Sequence, residues 1–188
     1  VSTDKAQLRA AALSRRAGLS AAAQAAAADA LARAVRPLAR GRVAAYASVG
    51  TEPGTAALLA ALDGVLLPVL LPGGELDWAV YDGTLLPGPR GTLEPAGARL
   101  GPDAVAGCAV VVVPALAVDR AGVRLGRGGG SYDRALARTG AYVVAALHSG
   151  ELVGSLPVEP HDRPVHAVVL PEQGLVELRA HDTGAIGR

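Results

Sequence analysis

The chain has 188 residues, 51% of them hydrophobic, and a formal net charge of +1. That length suits a single domain, taken as residues 1–188, and the apolar share is ample for a packed core. Residues 1–42 carry eight Lys or Arg against two Asp or Glu, enough to meet an anion or neutralise an acidic body, but too sparse for a nucleic-acid groove.

In chain order, residues 4–17 form a predicted helix, with Ser2, Thr3 or Asp4 as its cap and Gly18 as its stop. Ser20 caps a second helix to about Val35, halted by Pro37. Its Ala-rich stretch is broken by Gln24, Asp29 and Arg33, so it fits a soluble helix, and no segment has the pattern of a signal peptide or membrane span. Arg42 to Ser48 is a predicted strand, Val49 to Thr55 a loop, and Thr55 to Leu62 a short helix. Val65 to Leu71 is a short strand interrupted by Pro68. Leu76 to Tyr81 alternates apolar and polar residues, the pattern of an edge strand.

Gly83 to Pro102 holds five Gly and four Pro, which predicts loop. Cys108 to Val113 is apolar at every position, as in a strand covered on both faces. After Pro114 come a loop to Gly130, a helix from Ser131 to about Arg138, and a strand from Ala141 to Leu147. His166 to Leu170 and Leu175 to Leu178 are closing strands. Strands alternating with helices predict a layered α/β domain around a mainly parallel sheet.

Cys108 is the only cysteine. It excludes an internal disulfide, fits a reducing cytoplasm, and is better placed as a small core residue than as a catalytic thiol. Seventeen of the eighteen basic residues are Arg, which singles out Lys5. Lys5 and Arg9 are four apart, hence on one helix face, where a bound anion would offset their mutual repulsion. With no Phe, four Tyr and one Trp, a bound planar ring would rely on aliphatic walls and arginines.

The segment with the strongest chemical signal is Arg124-Leu125-Gly126-Arg127-Gly128-Gly129-Gly130-Ser131-Tyr132-Asp133. It follows a central strand and opens a helix. Glycines let backbone N–H groups approach a phosphate, the helix start adds free N–H groups and a positive dipole end, and Arg124 and Arg127 supply forked donors. It lacks the Gly-Lys-Ser/Thr of a Walker A loop and the third glycine of a dinucleotide fingerprint. The competing interpretation is a flexible surface turn. Asp133 either complements the helix dipole or holds Mg²⁺ beside phosphates. Asp162, in Glu159-Pro160-His161-Asp162, is a second carboxylate that local pattern alone cannot join to Asp133.

Together these blocks resemble the 5-formyltetrahydrofolate cyclo-ligase family over nearly the whole chain. The matching segments are Lys5 and Arg9; Tyr46 and Glu52; Glu94-Pro95; Pro114 to Arg120 with Gly122 and Arg124 to Arg134; and Pro157, Glu159, His161 and Asp162. The resemblance implies a three-layer α/β/α fold, Rossmann-like (NagB/RpiA/CoA-transferase-like). It also implies an enzyme that uses ATP and Mg²⁺ to cyclise 5-formyltetrahydrofolate to 5,10-methenyltetrahydrofolate. Lys5, Arg9, Arg124, Leu125, Gly126, Arg127, Gly128, Gly129, Gly130, Ser131 and Tyr132 would contact ATP, with Lys5 and Arg127 catalytic. Ala47, Glu52, Arg127 and Ser131 would meet the folate, and Asp133 and Asp162 the metal. The implied setting is cytoplasmic, with small-molecule partners only, as a monomer or weak homodimer. Where the family pattern has Tyr-Tyr-Asp, this chain has Ser131-Tyr132-Asp133; Ser131 keeps a hydroxyl, loses the ring, and belongs to a residue type that favours helix caps. The alternatives are a diverged member with another substrate and a non-catalytic nucleotide or folate binder.

Overall fold

In the computed structural model, residues 4–178 are described. Helix α1 (Lys5–Ala17) begins where the Asp4 carboxylate accepts a hydrogen bond from the N–H of Ala6, and it ends where the Gly18 N–H reaches the carbonyls of Arg15 and Arg16. Helix α2 (Ala21–Val35) is capped by Ser20 Oγ, which accepts from the N–H of Ala23 at 3.2 Å. A single 3-10 turn containing Pro37 then stops it.

The strands and remaining helices follow as β1 (Val43–Ala44), α3 (Ala56–Ala60), β2 (Leu66–Leu70), β3 (Leu76–Val80), β4 (Leu85–Pro87), β5 (Leu93–Pro95), β6 (Val110–Pro114), β7 (Ala117–Asp119), β8 (Arg124–Leu125), α4 (Ser131–Leu136), β9 (Tyr142–Ala146), β10 (Leu152–Val153), β11 (Ala167–Leu170) and β12 (Gly174–Glu177). The main sheet has seven strands in the order β12-β11-β9-β6-β1-β2-β3. Its inner five are parallel, and both outer pairs are antiparallel.

The central strands alternate their side chains between two apolar layers. On one face, Ala30, Leu31 and Val35 of α2 pack with Val43, Val110, Val112 and Val144. On the other, Ala135 and Leu136 of α4 pack with Val111, Val113, Val143 and Val168. Strands buried on both faces need apolar residues at every position, which is why β6 is an unbroken valine run. Leu31 is fully buried, a transfer from water worth about 2–3 kcal/mol. The result is the expected three-layer α/β/α architecture with a mainly parallel sheet.

Several local expectations fail for identifiable reasons. The loop-rich stretch 83–102 contains the antiparallel hairpin β4–β5; its prolines occupy outer strand positions where a missing N–H is tolerated. The stretch from Pro114 to Gly130 contains β7 and β8, which join β10 in a small three-stranded sheet. These strands are two or three residues long and pair with distant segments, so local periodicity does not mark them. Strand β1 is shorter than the predicted 42–48: Val43 and Ala44 pair with β6 and Ala44 alone also with β2, although Ala45 still donates to Leu66 O. On the edge strand β3, Asp77 turns inward rather than to solvent. Its Oδ1 accepts from the N–H of Trp78 and of Gly101, so residues 99–101 cover that edge.

Candidate active site

The fold leaves a cleft of about 860 Å³ at the carboxyl ends of the central strands, bounded by α1, the 46–52 loop, the β4–β5 hairpin, the glycine segment and the 159–163 loop. In open α/β sheets this end collects the loops and the helix start, so ligands gather there.

Helix α1 supplies one wall. Lys5, Arg9, Ala12 and Arg16 follow a spacing of four, three and four, so they share the inward stripe. Lys5 Nζ donates to Glu159 Oε2 at 2.6 Å and to Asp162 Oδ2 at 2.8 Å. Burial alone would lower the lysine pKa, but the bonds to Asp162 and Glu159 outweigh it and raise it. Burial would likewise raise Asp162, yet the Lys5 ammonium and the N–H of Glu159 hold its carboxyl below the usual aspartate range. Arg9 Nε donates to Gly126 O at 2.9 Å, and its guanidinium lies against Gly128. The like-charged pair is therefore relieved within the protein, each cation having its own partner.

The glycine segment lies along the floor. Gly128 and Gly130 have φ of 100° and 65°, values that most side chains adopt only with strain, so glycine is favoured at both. Gly130, in the left-handed region, occupies the N-cap of α4, and no side chain caps that helix. Ser131 is therefore the first helical residue and not the cap. Arg124 is buried; it donates to Asp133 Oδ1 at 3.0 Å and lies 5.8 Å from the Tyr132 ring centre. Burial, then the nearby Glu52, pushes the Tyr132 phenol far up, so it stays protonated. Helix α4 is shorter than predicted, ending at Leu136.

The 46–52 loop closes another side. Tyr46 Oη donates to Pro53 O at 2.7 Å, while Ser48 and Thr55 exchange reciprocal hydrogen bonds. Glu52 is held by the N–H of Val49 at 2.9 Å and by Arg127 Nη2 at 3.2 Å. Ala47 lines the cleft beside it. Arg127 is 57% exposed in its side chain against 9% for Glu52, so the carboxylate is fixed and the arginine is the movable partner.

All the residues predicted for the site line this one cleft. Asp133 and Asp162 are brought together through neighbours in sequence, since Asp133 Oδ1 accepts from the N–H of Arg163 at 3.2 Å. Each carboxylate keeps a second oxygen, Oδ2 of Asp133 and Oδ1 of Asp162, that accepts no hydrogen bond from the described residues. Such free carboxylate oxygens fit a hard cation such as Mg²⁺, which takes one or two carboxylates and fills its remaining positions with phosphate oxygens and water. Glu159, His161 and Asp162 also place donor atoms within 4.8 Å of one another.

Several lining residues are not marked by local sequence. Arg16 is buried and donates through Nε and Nη2 to Glu151 at 2.7 Å each, and through Nη2 to Ala115 O. Glu151 also accepts from the N–H of His148, whose Nε2 bonds Thr51 O at 3.0 Å. This chain of contacts ties α1 to the loop carrying Glu52. The inward spacing of Arg16 is the signal that was available. Arg134 braces the glycine segment by donating to Gly74 O at 2.6 Å and Gly129 O at 3.1 Å. Arg90, at the hairpin turn, also lines the cleft.

The profile described as the 5-formyltetrahydrofolate cyclo-ligase family matches residues 1–171. The chain belongs to this family. It is 42% identical over 149 residues to the 5-formyltetrahydrofolate cyclo-ligase of Mycolicibacterium smegmatis, covering 73% of this chain and 77% of that one. The cyclo-ligase of Escherichia coli K12 is 45% identical over 67 residues, 34% of this chain and 37% of that one. Among solved structures, the 5,10-methenyltetrahydrofolate synthetase of Aquifex aeolicus superposes with a TM-score of 0.77 at 27% identity, over 98% of this chain and 94% of that one. The synthetase of Mycoplasma pneumoniae, at 17% identity and a TM-score of 0.68 over 88% and 98%, shares the fold. Cyclo-ligase relatives thus agree with the resemblance drawn from Lys5, Glu52, the glycine segment and Asp162. Among the described residues, no helix is long and apolar enough to cross a membrane.

Proposed function

We propose that this cyclo-ligase family member catalyses ATP- and Mg²⁺-dependent closure of 5-formyltetrahydrofolate to 5,10-methenyltetrahydrofolate, releasing ADP and phosphate. The observation that carries the reading is a single cleft in which the glycine segment faces Lys5, Arg9, Glu52 and Asp162. The γ-phosphoryl group passes to the formyl oxygen on N5, which converts a poor leaving oxygen into phosphate. N10 then attacks the former formyl carbon, the C–O bond breaks, and phosphate departs. Both nucleophiles belong to the substrate, so the protein supplies position and charge complementarity.

In this reading Lys5, Arg9, Arg124 and the N–H groups from Leu125 to Tyr132 bind the triphosphate. Lys5 and Arg127 offset the charge on the transferred group. Glu52 accepts hydrogen bonds from the pterin-like ring, with Ala47 and Ser131 beside it, and Arg127 exchanges its bond to Glu52 for a ligand oxygen. Asp133 and Asp162 would hold Mg²⁺, whose chemistry is to neutralise phosphate charge. The single buried thiol accords with a reducing cytoplasm, and residues 1–188 are taken as one domain acting as a monomer or weak homodimer.

Purified protein given ATP, Mg²⁺ and 5-formyltetrahydrofolate should generate the methenyl chromophore, and omission of ATP should abolish it. Folded protein with no ATP-dependent absorbance rise overturns the reading. Ser131 motivates one alternative, a diverged member; ATP hydrolysis that ignores the folate would favour it.

A further inference from the structure

The β4–β5 hairpin carries a residue type that its turn does not favour. Arg90 has φ 56° and ψ 26° and is followed by Gly91 at φ 74°. Among the described residues Arg90 is the only non-glycine with positive φ. Thr92 N donates to Pro89 O at 3.1 Å, closing a tight hairpin turn with two left-handed central residues. Asn, Asp and Gly adopt the first central position readily, whereas arginine does so with strain.

The surroundings hold that conformation in place. Gly88 N donates to Thr92 O at 2.9 Å, and Thr92 Oγ1 donates to Pro89 O at 2.8 Å. Glu94 Oε1 accepts from the N–H of Leu70 at 2.8 Å, which fixes the hairpin to β2. A strained backbone held by its neighbours beside a ligand cleft is the pattern of a residue kept for its side chain.

That side chain reaches the glycine segment. Arg90 Nη1 lies 4.0 Å from where a Cβ on Gly129 would be, and Arg90 lines the cleft. Arg9, Arg124, Arg127 and Arg134 each spend a donor on a protein oxygen. Arg90 is exposed and has no carboxylate partner among the described residues. A forked donor without a partner, on a fixed turn, suits an oxyanion.

We propose that Arg90 is an oxyanion contact at the rim of the cleft beside Gly129, binding either a glutamyl carboxylate of the reduced folate or a phosphate of the nucleotide. This rests on the cyclo-ligase reading. Arg90 acts on a part of the ligand remote from the reacting formyl group, so its removal raises KM and leaves kcat nearly unchanged.

Arg90→Asn removes the charge and suits the left-handed turn, so the thermal midpoint should hold or rise by about 2 °C. Steady-state kinetics would measure KM for ATP and for 5-formyltetrahydrofolate carrying one or several glutamates. The loss of one charge-assisted hydrogen bond predicts a KM rise of about tenfold for one ligand. A rise for the folate, larger with more glutamates, assigns the carboxylate; a rise for ATP assigns the phosphate. Unchanged KM for both, with a native melting profile, overturns the proposal while leaving the cyclo-ligase reading intact. If the unaltered protein turns over no folate, that reading falls, and calorimetric titration of ATP and of 5-formyltetrahydrofolate into both proteins decides Arg90 by the same two arms; equal affinities, or no binding, overturn it.

Discussion

Changing Glu151 to Gln keeps the shape of the buried pair and removes its negative charge. Arg16 is 2% exposed and Glu151 3%, so water cannot compensate the guanidinium left behind. Its remaining acceptors are Ala115 O and a neutral amide oxygen. Breaking one side of such a pair costs about 3–5 kcal/mol, and for a chain of this size each kcal/mol shifts the thermal midpoint by about 2–4 °C. The midpoint should therefore fall by roughly 6–20 °C in a melt followed by circular dichroism. Replacing both partners, with Arg16→Met and Glu151→Leu, should recover most of that loss, because no charge is then stranded. The reasoning fails if Glu151→Gln destabilises by less than about 1 kcal/mol, or if the double variant is no more stable than the single.

Further outcomes follow from the cleft. Asp133→Ala should lower Mg²⁺-dependent turnover by about a hundredfold or more while the far-ultraviolet spectrum stays native; full activity would refute the metal assignment. The Lys5–Asp162 pair contributes stability above the unfolded aspartate value of 3.8 and below the unfolded lysine value of 10.5. The stability gap between the unaltered protein and Lys5→Ala should thus be flat from about pH 6 to 9. It should close as pH falls through the depressed pKa of Asp162 or rises through the elevated pKa of Lys5; chemical denaturation across pH checks this. Cys108 is buried, which raises its thiol pKa, so a thiol-directed chromogenic reagent should react slowly with native protein and fast in denaturant.

Much of the fold is legible because its signals are local. Asp4, Gly18, Ser20 and Pro37 delimit α1 and α2, and the valine run of β6 marks a strand covered on both faces. The glycine segment is legible for the same reason, since backbone approach and a helix start depend on adjacent residues. What escapes is set by pairing across long separations. Strands β7, β8 and β10 are two or three residues long and exist only through each other. Asp77 alternates as an outward residue should, yet the N–H of Gly101, 24 positions on, draws it inward. The spacing of Arg16 from Lys5 and Arg9 places it on their helix face, but nothing local marks it as buried or names its acid, 135 positions away. Ser131 has the chemistry of a cap, and Gly130 displaces it because the chain must turn through a left-handed residue before α4.

The bond from Lys5 to Asp162 spans 157 positions. During synthesis, the first helix leaves the ribosome long before its acidic partner exists. A ligand that needs both ends of this span cannot act as an early template for folding; it selects chains in which residue 162 is already in place. Once bound, it fastens α1 to the 159–163 loop, so protection against proteolysis should appear at that helix as well as around the glycine segment.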